Sequence, residues 1–185
     1  DGGKFNKQKK AKKHILNMIK SGAKIIDIGG ESTRPGSKTV LTNMEWKRIE
    51  NIVKNFKKKH KKVCLSIDTR KSEIMIKAIK HGADLINDVS GFNYENQSLL
   101  KLKKYNVAKV LHHMQGTPNT MQKNPKYKNV LLDIYDFFEE GIKKIANKKI
   151  IIDPGIGFGK NLKHNLTLIS RISLFHSLGF PILIG

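Results

Sequence analysis

Five apolar runs of this sequence close on residues that hydrogen-bond or titrate: Asp27, Asp68, Asn87 with Asp88, the pair His112 and His113, and Asp153. One acid after a strand is ordinarily a helix cap or a turn residue. Five in the same place form a pattern: carboxylates and an amide converging on one pocket offer acceptors to a ligand rich in N–H donors, such as an amino-pyrimidine edge. The same oxygens suit a divalent cation, and that second reading stays open here. His112 and His113 do not make a joint chelate, because adjacent side chains on a strand point to opposite faces. One of them faces the pocket, and the other packs toward the helices. Cys64 lies inside the apolar run 63–67 and reads as a buried, inert thiol.

Two loops offer a different chemistry. The stretch GGESTRPGS at 29–37 combines glycines that free backbone N–H groups, the hydroxyls of Ser32 and Thr33, and the guanidinium fork of Arg34. These are anion ligands, phosphate first among them, although a plain polar loop has the same composition. The stretch DPGIGFGKN at 153–161 is glycine-rich but fits neither G-x-x-x-x-G-K-[ST], having Pro154, nor G-x-G-x-x-G, having Lys160. It permits close backbone approach to a flat ligand, with Phe158 as a wall and Lys160 to meet an anion.

The elements that must position these residues alternate. Strand-like runs fall at 24–28, 63–68, 84–89, 107–112, 149–153 and 181–184, and helical spacing joins Ile15, Met18 and Ile19; Ile49, Ile52, Val53 and Phe56; Met75, Ala78 and Ile79; and Leu162, Leu166 and Ile169. Gly22 and Gly82 fit helix ends, and Thr42 with Glu45 has the form of a capping box. IKSGAKIID at 19–27 returns as IKHGADLIND at 79–88, each copy a helix end, a Gly-Ala turn, a strand and a polar strand end. Repeated βα units with uniformly apolar strands predict a parallel sheet in a (β/α)8 TIM barrel; an open doubly wound sheet is the alternative that periodicity leaves standing. A whole barrel takes about 250 residues, so the chain is expected to hold about six βα units in a single domain, 1–185, incomplete at both ends.

No run reaches membrane-span length, and the beginning lacks a signal peptide's apolar core, which together predict a cytoplasmic protein. The net charge of +21 raises nucleic acid as a partner. The lysines that carry it, as in 7–13 and 57–62, lack interleaved aromatics, so a solvated surface is the first expectation and nucleic-acid binding the minority reading.

In order, DGG, IIDIGGESTRPGS, SIDTRK, INDVSG, HMQGTPNTMQ and IIDPGIGFGKN resemble the dihydropteroate synthase family from the first residue to the last. Related pterin-binding methyltransferases generally lack GGESTRPG and HMQGTP. The resemblance implies a transferase of folate biosynthesis that joins a pterin diphosphate to p-aminobenzoate and releases diphosphate. It places Asp68, Asn87 and Asp153 on the pterin, Thr33 on the diphosphate, and Arg34, Pro35 and Phe158 at the p-aminobenzoate site. Asp27, Asp88, His112 and Lys160 are supporting candidates; at His112 the family often has an apolar residue, commonly Met. Mg²⁺ is the implied cofactor, but the family's associated Asn precedes the position of Asp1, so no metal ligand is expected within this chain. The complete protein is expected to be a homodimer and this stretch alone inactive. A related methyltransferase domain and a non-catalytic pterin-binding fragment are the alternatives.

Overall fold

The computed structural model describes residues 7–147 and 149–185; the DGG motif lies outside them. Helix α1 (Gln8–Lys20) precedes β1 (Ile25–Gly29), and the chain continues α2 (Thr42–Lys59), β2 (Cys64–Asp68), α3 (Ser72–Lys80), β3 (Leu85–Asp88), α4 (Ser98–Leu102), β4 (Ala108–His112), α5 (Val130–Lys144), β5 (Ile150–Asp153) and α6 (Leu162–Ser170), followed by a 3-10 turn at Ile172–Leu178. The five strands form one sheet in the order β1-β2-β3-β4-β5, every neighbouring pair parallel. A doubly wound sheet reverses its strand order at a switch point. Strictly sequential order with a helix after each strand is instead the arrangement of a TIM barrel, here part of one. The sixth run, 181–184, joins β5 through a single bridge, Ile152 to Ile182.

Register decides which residues reach the site. Gly29 pairs with Asp68, Asp68 with Asn87, Asn87 with Val110 and Val110 with Ile151; two residues further along, His112 pairs with Asp153, and two residues before Gly29, Asp27 pairs with Ser66. With a side-chain period of two, Asp27, Asp68, Asn87, His112 and Asp153 all share the inner face. Asp88 falls on the other face, in line with Leu111.

That outer face carries the core. Ile26, Leu65, Ile67, Ile86, Leu111 and Ile152 are buried there beneath Ile49, Val53 and Phe56 of α2, Ile74, Met75 and Ala78 of α3, Ile134 and Phe138 of α5, and Leu168 of α6. The helical members recur at three- and four-residue intervals, so each helix presents one apolar stripe to the sheet. Each of these side chains larger than Ala78 contributes about 1.5–3 kcal/mol on burial.

Among the described residues, side-chain caps start α5 and α6 and no other α-helix. Asn129 Oδ1 accepts from the N–H groups of Leu131 and Leu132 at the start of α5. Asn161 and His164 form a reciprocal capping box on α6, directly after the 153–161 loop. The box expected at Thr42 and Glu45 is not formed: the residue before α2 is Leu41, with no side-chain cap, and Glu45 is drawn into the interior by Thr69 and Lys71. Gly22 and Gly82 end α1 and α3 in the left-handed region, φ 98° and 93°, as expected.

Candidate active site at the strand carboxyl ends

Asp68 is the centre of the inner-face group. Its Oδ1 is buried and has no hydrogen-bond partner among the described residues, and burial, followed by the nearby charges of Asp27, Asp88, Glu45 and Glu31, pushes its carboxyl well above the ordinary value. Asn87, its register partner, donates Nδ2–H to Asp27 Oδ2 at 3.1 Å, which leaves its own buried Oδ1 without a donor. Asp27 itself is open to solvent on this face, and the atoms packed around its carboxyl raise it from the ordinary value, against hydrogen bonds from Ser66 and Asn87. Two unsatisfied acceptors on adjacent strands therefore lie side by side, about 4.8 Å apart at the backbone. Buried oxygens in that state are met by a donor from elsewhere.

Asp153 and His112 occupy the next position of the inner face. Asp153 Oδ1 accepts the Gly155 N–H at 2.8 Å, and burial raises this carboxyl to about 6. His112 Nδ1 lies 2.9 Å from the Val89 carbonyl, which only accepts, so Nδ1 carries the proton. Burial lowers His112 to about 4, keeping the ring neutral, with Nε2 3.9 Å from Asp153 Oδ2. Phe158 meets the His112 ring edge-on at 4.7 Å. His113 points the other way, as the alternation requires, against Phe137 of α5.

Lys160 differs from the expectation that it meets an anion. Only 3% exposed, its Nζ donates to His113 Nδ1 at 3.0 Å and to the Phe158 carbonyl at 2.9 Å. Burial lowers this lysine to about 7. It braces the wall from inside. Asp88 also works locally: Oδ1 accepts from the Ser90 N–H and hydroxyl, Oδ2 has no hydrogen-bond partner among the described residues, and burial raises the carboxyl to about 6. Cys64 is half-buried, and burial raises its thiol, so the reactive thiolate is disfavoured.

The loops over the strand ends are stitched together through backbone acceptors. Gln122 donates to Gly157 O, Tyr127 OH to Gly159 O at 2.8 Å, and Gly36 N–H to Pro118 O at 3.0 Å. A Cβ on Gly155 would lie 2.0 Å from the His113 carbonyl, so only glycine allows this approach. Thr33 is half-buried and Arg34 and Pro35 are exposed on the 29–37 loop; among the described residues no side-chain hydrogen bond joins them to the inner-face group.

Beside these loops lies a buried ion cluster that sequence patterns did not reveal. Glu31, 7% exposed, accepts from Arg70 Nη2 at 2.7 Å and Lys71 Nζ at 3.1 Å; Lys71 also pairs with Glu45. Burial of Glu31 is outweighed by the Val40 N–H, Arg70 and Lys71, which hold its carboxyl below the ordinary value. The available signal was an acid in GGESTRPG and two bases in SIDTRK, opposite charges at successive strand ends. Among the described residues no three His, Cys, Asp or Glu side chains converge as a metal site.

Comparison with known proteins fits this geometry. The model of the family described as pterin binding enzyme matches residues 1–185. The dihydropteroate synthase of Escherichia coli K12 is 40% identical over 190 residues, covering 100% of this chain and 67% of that protein. The Clostridium beijerinckii dihydropteroate synthase is likewise 40% identical, covering 100% and 68%. The crystal structure of the Yersinia pestis dihydropteroate synthase with a sulfonamide drug complex matches with a TM-score of 0.95 at 38% identity, over 100% of this chain and 68% of that one. The Xanthomonas albilineans enzyme with 4-aminobenzoic acid gives 0.88 at 34% identity, over 100% and 67%.

Proposed function

The chain belongs to the family of pterin-binding enzymes, and from that premise we infer that it is the substrate-binding barrel of a dihydropteroate synthase, a transferase of folate biosynthesis. The reaction condenses 6-hydroxymethyl-7,8-dihydropterin diphosphate with p-aminobenzoate. The observation that carries the reading on this chain's own residues is the register-aligned pair of orphaned acceptors, Asp68 Oδ1 and Asn87 Oδ1. An amino-pyrimidine edge supplies the N–H donors they lack, and Asp153 adds a third acceptor on the same face.

In this reading the pterin lies across the inner face with its edge on Asp68, Asn87 and Asp153. The arylamine nitrogen attacks the exocyclic methylene; the C–N bond forms, the C–O bond breaks, and the diphosphate leaves with that electron pair while the amine loses a proton. The buried carboxylates stabilise positive charge developing on the pterin. An arylamine is already a nucleophile, so placement matters more than a general base. Thr33 receives the diphosphate, while Arg34, Pro35 and Phe158 shape the place of the amine. His112 stays neutral and packs against Phe158, supporting that wall rather than transferring a proton.

The resemblance also implies Mg²⁺. The described residues supply no cage for it, and a Mg²⁺ ion held by substrate phosphates and one or two carboxylates needs none. Its chemistry would be charge neutralisation on the leaving group, and no step above depends on it. Among the described residues no helix is long and apolar enough to cross a membrane. The reading further includes a cytoplasmic homodimer that uses small molecules rather than nucleic acid. The test is diphosphate release by the full-length protein from pterin diphosphate and p-aminobenzoate together. Release that requires both substrates is expected; a folded protein that releases none overturns the reading.

A further inference from the structure

The arc 32–39, which carries Thr33, Arg34 and Pro35, starts and ends on one carboxylate. Glu31 is its first root, and Glu31 Oε1 accepts the N–H of Val40, the second root, at 2.7 Å. That carboxylate is itself held from outside the arc. Arg70 donates Nε and Nη2 to Oε2 at 3.2 and 2.7 Å, and Lys71 reaches Oε1. Arg70 lies 4.4 Å over the Tyr94 ring, in the segment after β3, and Thr69 donates to Glu45 of α2 at 2.6 Å. Arg48 holds the Gly30 carbonyl at 2.8 Å. Gly30 lies so close to α2 that a Cβ there would sit 2.5 Å from the Glu45 carbonyl.

Two acids and two bases thus form a charge-balanced, buried fixture joining the segments after β1, β2 and β3 to α2. Fully satisfied networks of this kind define one geometry, and they lose it when one member is replaced. Arg70 is also only two residues from Asp68. The arc's own ties are few: Ser37 N–H to Arg34 O, Arg34 N–H to Ser32 Oγ, and Gly36 N–H to Pro118 O.

We propose that Glu31 is a positioning residue for the reaction: it fixes both roots of the 32–39 arc, and so sets where Thr33 and Arg34 stand relative to a pterin on Asp68. This rests on the proposed function, in which the arc serves the diphosphate and the amine substrate.

The experiment compares wild type and Glu31→Gln in the full-length protein. Gln keeps an acceptor for Val40 but turns an N–H₂ group toward Arg70 or Lys71. The KM for p-aminobenzoate is expected to rise at least about tenfold while the Kd for a pterin without its diphosphate, held by Asp68, Asn87 and Asp153 alone, stays within about twofold. A purely structural role would lower the melting temperature and leave both constants alone, or shift them together, and either result overturns the inference. Wild type that uses p-aminobenzoate saturably while the variant keeps its KM defeats this inference alone. Wild type with no such saturation defeats the proposed function and the inference with it. Hydrogen exchange on wild type keeps the inference testable if the variant does not fold. Without ligand, the Val40 amide is expected to be protected and those of Thr33 and Lys38 to exchange freely; equal exchange at all three refutes the fixed roots.

Discussion

Replacing Asp68 with Asn should make the ligand-free protein more stable and worse at binding pterin, and the pH dependence of the first effect identifies its cause. Asp68 bears a carboxyl pushed above its ordinary value of 3.8 by burial and then by the charges of Asp27, Asp88, Glu45 and Glu31. A raised folded pKa gives stability that is fully present below the unfolded pKa and is lost as pH rises through the folded one. Wild type therefore loses about 1.4 kcal/mol per pH unit from near pH 4 upward until Asp68 ionises in the folded state. Asn has nearly the same shape and does not titrate. The variant's advantage should grow at that slope and then level off, and the pH of the plateau reports where Asp68 ionises. Loss of Asp68 also removes a like charge beside Asp27 and Asp88, which acts in the same direction. Urea unfolding of both proteins from pH 4 to 9 measures the difference directly. In the same pair, pterin binding followed by calorimetry should weaken by about 1.5–3 kcal/mol, the worth of a charge-assisted hydrogen bond. A stability difference that is flat with pH, or an unchanged pterin affinity, would refute the reasoning.

Other outcomes follow from single contacts. Gly30→Ala should destabilise by about 1–3 kcal/mol in urea, because the added methyl meets the backbone of Glu45 rather than a movable side-chain tip. Lys160, lowered to about 7, binds its proton less well when folded, so its effect on stability improves as pH rises from about 7 toward its ordinary value of 10.5; Lys160→Met should flatten that rise in a melting series. Pterin affinity should fall as pH drops below about 6, where Asp153 gains a proton and ceases to be a pure acceptor, and titrations in buffers of different ionisation enthalpy should show protons released on binding. Arg34→Ala should leave melting unchanged, since the side chain is exposed, and raise the KM for p-aminobenzoate.

The strands were legible because apolar runs of β-branched and aliphatic residues fell between helical spacings and closed on polar residues; that Asp27, Asp68, Asn87, His112 and Asp153 share one face follows from the register between strands, which pairs distant segments. Barrel and open sheet were not separable that way, since the choice lies in strand order, a pairing of distant segments. The same limit explains the errors near the site. Thr42 and Glu45 have capping spacing, but Glu45 answers to Lys71, 26 residues away. Lys160 follows a glycine-rich loop, as an anion ligand would, yet the loop folds back on itself and carries the ammonium inward to His113. Helix α5 has a signal of its own in the sequence, since Val130, Ile134 and Phe138 recur every four residues and Asn129 caps it.

The loops around Phe158 are held mainly through main-chain oxygens: Gly157, Gly159 and Phe158 itself accept from Gln122, Tyr127 and Lys160. A carbonyl belongs to every amino acid, so the mounting at position 158 does not depend on which side chain hangs there. Exchange of the ring for a smaller or more polar group would change the surface shown to an incoming molecule while the chain kept its path. The three glycines at 155, 157 and 159 have no such freedom, since all stand at positive φ. Inheritable variation in this loop thus has a natural outlet at one residue, flanked by neighbours that cannot vary with it.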